Sequence, residues 1–227
     1  MEPLEASSDV PAWRRRTEGE HRWPAALAVA VVIALHLALP EALAFRPQWL
    51  LPAIEGVLLI VLMALNPMRI NRESRVLRLI GLTLTFVLSV ATGWSAVALV
   101  RLIVSGQSGT NPTVLLVNGA AIWVTNVLVF ALWYWESDRG GPAARASGRD
   151  PYPDFLFTGM TAGPYAKPHW EPGFVDYLYT SFTNATAFSP TDTMPLSRGA
   201  KVAMLVQASI SLATAALVVA RAVNILN

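Results

Sequence analysis

The sequence predicts an all-α, polytopic membrane protein with five transmembrane helices and one re-entrant helix. Of its 227 residues, 54% are hydrophobic and 14% are charged, whereas a soluble domain carries about 25% charged residues. Five apolar stretches come near the ~20 residues that a spanning helix needs. A further, shorter helix is followed by a polar strip near the end of the chain. The lipid bilayer is therefore the first expected partner.

Residues 1–23 form a polar tail that we expect in the cytoplasm. The tail has four arginines just before the first apolar stretch, an arrangement that also begins secretory signal peptides. Pro40 and Glu41 follow that stretch, where a cleavage site needs small residues. The sequence therefore predicts a retained first membrane helix.

Residues 24–135 are predicted to form a four-helix membrane region. The apolar stretches cover residues 24–39, 49–65, 79–100 and 113–135. The last two are long enough to cross a bilayer, whereas the first two are marginal. Those two either span the membrane or form a short hairpin that does not cross fully.

Polar residues within these stretches are candidates for function or for helix pairing. His36 and Glu55 are ionisable groups inside the predicted membrane region, where such groups are functional candidates by default. Alternatively, the Glu55 side chain reaches the interface. Asn118 and Asn126, eight residues apart, lie on roughly one face of the fourth helix and are expected to form hydrogen bonds between helices.

The placement of lysine and arginine predicts the orientation. Four arginines lie between the second and third apolar stretches, at positions 69, 72, 75 and 78. Because cytoplasmic loops are enriched in these residues, this loop and the N-terminus are expected inside the cell. Residues 136–172 then also lie inside. This segment is polar and contains several glycines and prolines, so we expect a mostly irregular loop.

Residues 173–227 have the order of a pore module: a short amphipathic helix, a polar strip and a last apolar helix over residues 200–223. Asp176 lies near the start of the short helix, where a carboxylate complements the helix dipole. Pro190 ends that helix. Residues 174–188 are too few for a comfortable span, so a re-entrant half-helix fits better. Irregular backbone at membrane depth occurs where it is buried in protein or lines a watery cavity.

This module resembles the pore domain of two-helix potassium channels, whose pattern is D-A-L-Y-F-S-F-T-T-L-T-T-V-G-Y-G-D followed by P-L-S. The matching residues are Asp176, Leu178, Tyr179, Ser181, Phe182, Thr183, Thr186, Asp192, Pro195, Leu196 and Ser197. The resemblance implies a pore-helix scaffold of Asp176, Tyr179, Ser181, Phe182 and Thr183. It implies a filter-like strip of Thr186, Ala187, Phe188, Ser189, Pro190, Thr191 and Asp192. It also implies assembly of the chain as a tetramer.

The strip departs from that family at both filter glycines, because Ala187 to Thr191 stand where the family has T-V-G-Y-G. Glycines permit the backbone angles of the carbonyl ladder that replaces the ion's hydration shell. Potassium selectivity is therefore not implied. The predicted orientation brings the module in from the cytoplasmic face, unlike potassium channels. Either the module is inverted, or one early stretch does not span, or the stretch from Phe174 crosses completely.

The whole chain also resembles an uncharacterised family of bacterial integral membrane proteins that end in a D-Y-L-Y-x-S-F-T segment and a last helix. Residues 176–179 and 181–183 carry this resemblance. It implies a multi-pass protein of the bacterial plasma membrane and implies no activity.

These observations favour an ion-channel-like pore-loop protein that conducts monovalent cations as a homo-oligomer. A non-conducting scaffold or partner-binding protein is the alternative, and a small transporter is a third option. In the non-conducting alternative, the strip is a polar turn whose hydroxyls satisfy freed backbone groups, and Asp192 caps the turn or pairs with Arg198. Enzyme chemistry is not expected, because the chain has no cysteine and its three histidines lack ligand spacing. No catalytic residue, cofactor, metal site or nucleic-acid partner is predicted.

Overall fold

The computed structural model describes residues 11–66, 69–70, 74–106, 111–148, 150–162, 165, 167, 169–186 and 192–226. Most of these residues are helical. The helices are α1 Trp23–Ala38, α2 Leu50–Leu65, α3 Arg75–Val104, α4 Pro112–Ser137, α5 Pro142–Ser147, α6 Thr158–Thr161, α7 Phe174–Thr186 and α8 Arg198–Leu226. The sequence pattern located the five long apolar helices to within a few residues of these bounds.

Three helices of the described chain, α3, α4 and α8, are long and apolar enough to cross a membrane. They contain 30, 26 and 29 residues, so each is about 39 to 45 Å long, against a hydrocarbon core of about 30 Å. α1 and α2 contain 16 residues each and are about 24 Å long. Length and composition therefore indicate membrane insertion through three helices, with two shorter apolar helices beside them.

The connection between α1 and α2 packs against the bundle and does not extend away from it. Leu39 and Leu43 are buried in one apolar cluster with Leu99 of α3 and Val218 of α8. The Trp94 indole N–H donates a hydrogen bond to the carbonyl of Ala44 over 3.2 Å. These contacts fix the α1–α2 connection to the C-terminal halves of α3 and α8.

α4 lies at the centre of the bundle, in contact with α1, α3, α7 and α8. Close approach of α4 and α8 depends on Gly119, since a Cβ there would lie 2.8 Å from both γ carbons of Val218. α8 buries one stripe at intervals of three or four residues, which is the spacing of one helix face. The stripe consists of Ala200, Met204, Gln207, Ser211, Thr214, Val218 and Ala222.

Several non-helical segments meet at one end of the bundle, which we call the arginine-rich end. Strand β1 Glu20–His21 pairs antiparallel with β2 Arg69–Ile70. Strand β3 Phe155–Phe157 pairs antiparallel with β4 Thr193–Pro195. The described parts of the N-terminal segment, of the 66–74 connection and of the 138–173 segment thus lie together. The all-α class holds for the bundle, and these two short strand pairs lie outside it.

Residues 136–172 are more ordered than a mostly irregular loop, so that prediction needs correction. The segment contains a 3₁₀ turn at Asp138–Gly140, then α5, β3 and α6. Asp138 supplies part of the order: its carboxylate accepts hydrogen bonds from the backbone N–H groups of Asp154 and Phe155 over 2.7 and 3.3 Å. Gly141 has a φ of 95°, a conformation that glycine adopts readily, and the chain turns there into α5. Composition alone does not reveal such side-chain-to-backbone bonds.

Candidate functional site

The hairpin that runs from α7 to β4 begins with a capped helix, α7. The Asp176 carboxylate, in the third helical position of α7, accepts a hydrogen bond from the backbone N–H of Gly173 over 2.8 Å. This contact satisfies one of the backbone donors that a helix start leaves open, as the acidic half of a capping box does. Asp176 therefore has the helix-start role that the sequence predicted for it.

α7 presents an outer face that is largely exposed in the described chain. Val175, Tyr179 and Phe182 are 67%, 49% and 47% exposed, and Thr186 continues the same stripe. At the edge of this face, the Phe182 ring packs edge-on against Trp123 with a centroid distance of 5.8 Å. Two of the predicted scaffold residues, Tyr179 and Phe182, thus face outward.

The inner face of α7 is polar and buried. Thr180 and Ser181 are fully buried and Asn184 nearly so. The Ser181 hydroxyl donates a hydrogen bond to the Val127 carbonyl of α4 over 2.6 Å. Thr183, another predicted scaffold residue, is half-buried and its hydroxyl donates to the Tyr179 carbonyl within α7 over 3.0 Å. Of the predicted scaffold residues, Ser181 makes the side-chain hydrogen bond from α7 to α4.

A buried polar network centred on Gln207 joins α4, α7 and α8. The Gln207 amide donates to the Ser181 carbonyl over 2.9 Å and lies 2.6 Å from its hydroxyl oxygen. The Gln207 carbonyl oxygen accepts from the Asn184 amide over 2.9 Å and from the Tyr134 hydroxyl. All four side chains are at least nine-tenths buried. Because polar groups removed from water and lipid must be paired, this network fixes the depth and rotation of α7.

The network extends one turn further along α8. The Asn126 amide of α4 donates to the Ser211 hydroxyl over 3.0 Å, so the expected hydrogen bond between helices at Asn126 is confirmed. Asn118 is only half-buried. Gln207 itself was not singled out in the sequence, although a glutamine within an apolar stretch is a signal that a polar partner lies nearby.

The segment that follows the strip returns to the arginine-rich end. The Asp192 carbonyl accepts hydrogen bonds from both the backbone N–H and the hydroxyl of Thr158, over 3.1 and 2.7 Å. The hydroxyls of Thr180 and Thr193 lie 3.0 Å apart. Near the start of α7, Tyr177 donates to the Asp138 carboxylate over 2.6 Å. The first turns of α7 and the strand β4 therefore lie beside the same segment of the chain.

Only the two ends of the filter-like strip are described. Ala187, Phe188, Ser189, Pro190 and Thr191 lie outside the described residues. The Thr186 hydroxyl donates within α7, to the Phe182 carbonyl over 2.9 Å. The Asp192 side chain is half-buried, and its Oδ1 has no hydrogen-bond partner among the described residues. The described ion pairs do not include one between Asp192 and Arg198.

His36 and Glu55, the two ionisable residues singled out in the first two apolar stretches, come together in a second site. His36 Nδ1 lies 3.2 Å from both carboxylate oxygens of Glu55. The His36 and Glu55 side chains are 5% and 0% exposed. Glu55 therefore does not reach the interface, because its carboxylate points at His36 inside the bundle.

Thr92 of α3 completes this second site. Its hydroxyl donates to the Leu88 carbonyl over 2.7 Å, and the same oxygen lies 3.3 Å from His36 Nε2. The imidazole is thus held between a carboxylate on α2 and a hydroxyl on α3. The three residues form a buried polar site that joins α1, α2 and α3.

A third cluster holds the arginine-rich end together through buried ions. Arg145 donates to Glu20 through Nε and Nη2, over 3.0 and 2.7 Å, and to the carbonyl of Trp135 over 2.7 Å. Arg139 donates to the Asp150 carbonyl over 2.8 Å and to the carbonyl of Trp13. These bonds tie the N-terminal segment to the end of α4. Nearby, burial raises the pKa of Glu171 above its ordinary value, and the charge of Glu20 adds to the rise.

Comparison of the chain with protein-family models, with the curated proteins and with the solved structures gives no match. Among the described residues, no group of three or more histidine, aspartate or glutamate side chains is arranged to hold a metal ion. The candidate site is therefore interpreted from its own geometry: a polar-anchored hairpin, α7 to β4, and a buried polar site at His36.

Proposed function

We propose that the chain is a pore-loop membrane protein in which α7 is a re-entrant helix and several copies together enclose an ion path. The observation that carries the proposal is the closure of the hairpin from α7 to β4. Tyr177 and Thr193 both contact the segment around residues 138–158, whereas α7 itself runs about 20 Å along α4 and α8. In a pore loop, a short helix enters the membrane from one side and the segment that follows it returns to the same side.

The anchoring of α7 supports this function. A pore loop must hold its strip at a fixed depth, and the Gln207 network supplies hydrogen bonds from two long helices to the inner face of α7. One hairpin cannot enclose a path, so the function requires a homo-oligomer, a tetramer if it follows the potassium-channel plan. The outward face of α8 carries small residues, which allow close helix approach in lipid. They are Ser209, Ala213, Ala216 and Ala220.

We further propose that monovalent cations pass Thr186, Ser189 and Asp192, without potassium selectivity because the filter glycines are missing. In a ring of copies, the Asp192 carboxylates form a negatively charged collar that favours cations. Ion flux through purified protein in liposomes tests this, with the oligomeric state measured in parallel. Asp192→Asn should lower the preference for cations over anions and leave assembly unchanged. An oligomer that carries no flux over a range of voltage and pH would refute conduction.

The proposed topology places five spans in a bacterial plasma membrane, with α1 and α2 as the two short ones and the N-terminus in the cytoplasm. The chain has no cysteine, so single cysteines report sidedness directly. Cysteines at Gly173 and at Met194, which is exposed in β4 next to the buried Thr193, should label from the same side of the membrane. A cysteine at Gln48, in the α1–α2 connection, should label from the other side. Labelling of positions 173 and 194 from opposite sides would show that the hairpin crosses completely.

A non-conducting scaffold is the second candidate, and one observation favours it. The buried polar groups of α7 point into the bundle and are bonded there, so they serve packing whether or not ions pass. The flux measurement separates the two functions. A stable oligomer without flux, whose assembly fails when Gln207 is replaced, would favour the scaffold.

A small proton-coupled transporter is the third candidate, favoured by the buried contact between the ionisable side chains of His36 and Glu55. This function predicts uptake that depends on a pH gradient and is lost in Glu55→Gln. Flux that persists in Glu55→Gln and fails in Asp192→Asn would assign conduction to the hairpin instead.

A further inference from the structure

A cavity of about 120 Å³ lies at the arginine-rich end, apart from both the hairpin and the His36 site. It opens where the start of α1, the end of α2, the start of α3 and the end of α4 meet. Its volume exceeds the ~30 Å³ that one water molecule occupies in the liquid, and it accommodates a group of several heavy atoms. The polar lining side chains are Arg22, Asn66, Ser74, Arg75, Arg78 and Glu136.

The charge of this lining is positive. Three guanidinium groups, from Arg22, Arg75 and Arg78, face the cavity with one carboxylate, that of Glu136. Arg22 is only 9% exposed. Burial lowers the pKa of its guanidinium below the ordinary value, and the charge of Glu136 opposes that effect. The Glu136 carboxylate lies against Gly81 of α3, where an added Cβ would be 2.9 Å from its Oε1.

Two buried donors in this lining have no acceptor among the described residues. They are Nε of Arg22 and Nδ2 of Asn66, and the Asn66 side chain is 6% exposed. Buried N–H groups are nearly always paired in folded proteins. Two unpaired donors beside three guanidinium groups indicate that an acceptor with negative charge belongs in the cavity.

The apolar part of the lining restricts what carries that charge. Leu62 of α2, Ile70 of β2 and Leu77 of α3 form one wall. The cavity also lies at the start of α3 and the end of α4, two helices long and apolar enough to cross a membrane, and the ends of spanning helices lie near the lipid headgroups. Guanidinium groups bind phosphate through paired N–H donors, and basic pockets between helices at this level bind anionic headgroups.

We propose that this cavity binds a phosphate oxyanion, supplied by the headgroup of an anionic phospholipid. Arg22 and Asn66 donate to the phosphate oxygens from inside the cavity. Arg75 and Arg78, which are exposed at its rim, contribute charge. The acyl chains leave along the apolar wall.

The full-length protein, reconstituted in vesicles of phosphatidylcholine with or without phosphatidylglycerol, tests the site. Native mass spectrometry of the re-extracted protein should show bound phosphatidylglycerol in preference to phosphatidylcholine. Arg22→Gln and Asn66→Ala should each weaken retention about tenfold, because each removes a hydrogen bond to a charged group. Arg78→Gln, at the exposed rim, tests the same site without replacing a buried residue. Arg198→Gln, an exposed arginine at the start of α8, is the matched control and should retain the lipid fully.

A second arm distinguishes the two sources of phosphate. Inorganic phosphate is added to the wild-type and Arg78→Gln proteins in detergent, and thermal stability is measured. A stabilisation that needs Arg78 and occurs without lipid would assign the site to free phosphate. Retention of phosphatidylglycerol without any effect of inorganic phosphate would assign it to the headgroup. Equal retention of both lipids by wild-type protein, together with no phosphate effect, would overturn the proposal.

Discussion

Two polar sites lie inside the bundle, and they differ in the chemistry of their members. The site around Gln207 is made of amides and hydroxyls that stay neutral, and it joins α4, α7 and α8. The site at His36 pairs an imidazole with a carboxylate, and it joins α1, α2 and α3. A neutral network has one bonding pattern and so fixes geometry. The pair at His36 instead joins two ionisable groups that are both buried, so each depends on the other as its partner.

The largest expected effect comes from breaking the ionisable pair. His36→Leu leaves the fully buried Glu55 carboxylate without its partner, and loss of one member of a buried ion pair costs about 3 kcal/mol. The free energy of unfolding of purified protein in micelles measures this. The double variant His36→Leu with Glu55→Leu should recover most of the loss, because paired apolar residues replace buried pairs well. If the double variant is as unstable as His36→Leu alone, the loss does not come from an unpaired Glu55 carboxylate.

Breaking the neutral network should cost somewhat less. Gln207→Leu removes bonds to Ser181, Asn184 and Tyr134, and side-chain hydrogen bonds within membranes average about 0.6 kcal/mol each. We expect a loss of about 2 kcal/mol in the free energy of unfolding. Ser209→Ala, two residues along α8 on its exposed face, should change it by less than ~0.5 kcal/mol. Similar losses in both variants would mean that the network does not anchor α7.

The geometry of the Gln207 network also depends on the apolar contact that brings α4 and α8 together. Gly119→Ala places a Cβ 2.8 Å from both γ carbons of Val218, so overpacking should cost about 1 to 2 kcal/mol. Adding Val218→Ala should relieve part of that loss. Gly93→Ala on α3 is the matched control, since a Cβ there meets no atom within 4 Å. An equal loss at both glycines would refute the close-contact explanation.

The smallest effect is expected at Thr92, which has only one bond to the pair. Thr92→Val keeps the shape of the side chain but removes the hydroxyl that lies 3.3 Å from His36 Nε2. We expect a loss of about 0.6 kcal/mol. A loss equal to that of His36→Leu would show that Thr92 and His36 act as one unit.

The sequence predicted the helices well because each lies in a long apolar run that is bounded by arginines, prolines or glycines. It placed Asp176 at the start of α7, where the structure has it capping Gly173. The distribution of arginines predicted that the N-terminal segment, residues 66–78 and residues 136–172 share the cytoplasmic side. The described parts of these segments lie at one end of the bundle, and the side that this end faces stays a prediction. These features follow from local composition, so no knowledge of helix packing is needed.

Contacts between helices were beyond the sequence pattern. His36 and Glu55 were recognised singly, but their pairing depends on how α1 and α2 rotate against each other. Gln207 was missed because a single amide barely changes the apolarity of α8. The order within residues 136–172 arises from Asp138 and Arg145, whose bonds reach backbone groups and side chains far along the chain. Such long-range bonds leave no periodic signal.

The pairing of β3 with β4 makes the hairpin mechanically continuous with the 138–158 segment. Phe157 lies opposite Thr193, and Phe155 opposite Pro195. Antiparallel ladder bonds run perpendicular to the strands, so a pull along β3 loads them together in shear. Thr158 donates two hydrogen bonds to the carbonyl of Asp192, the residue that ends the polar strip, so the same force acts on Asp192. A displacement at the arginine-rich end must therefore either move Asp192 or break these two hydrogen bonds.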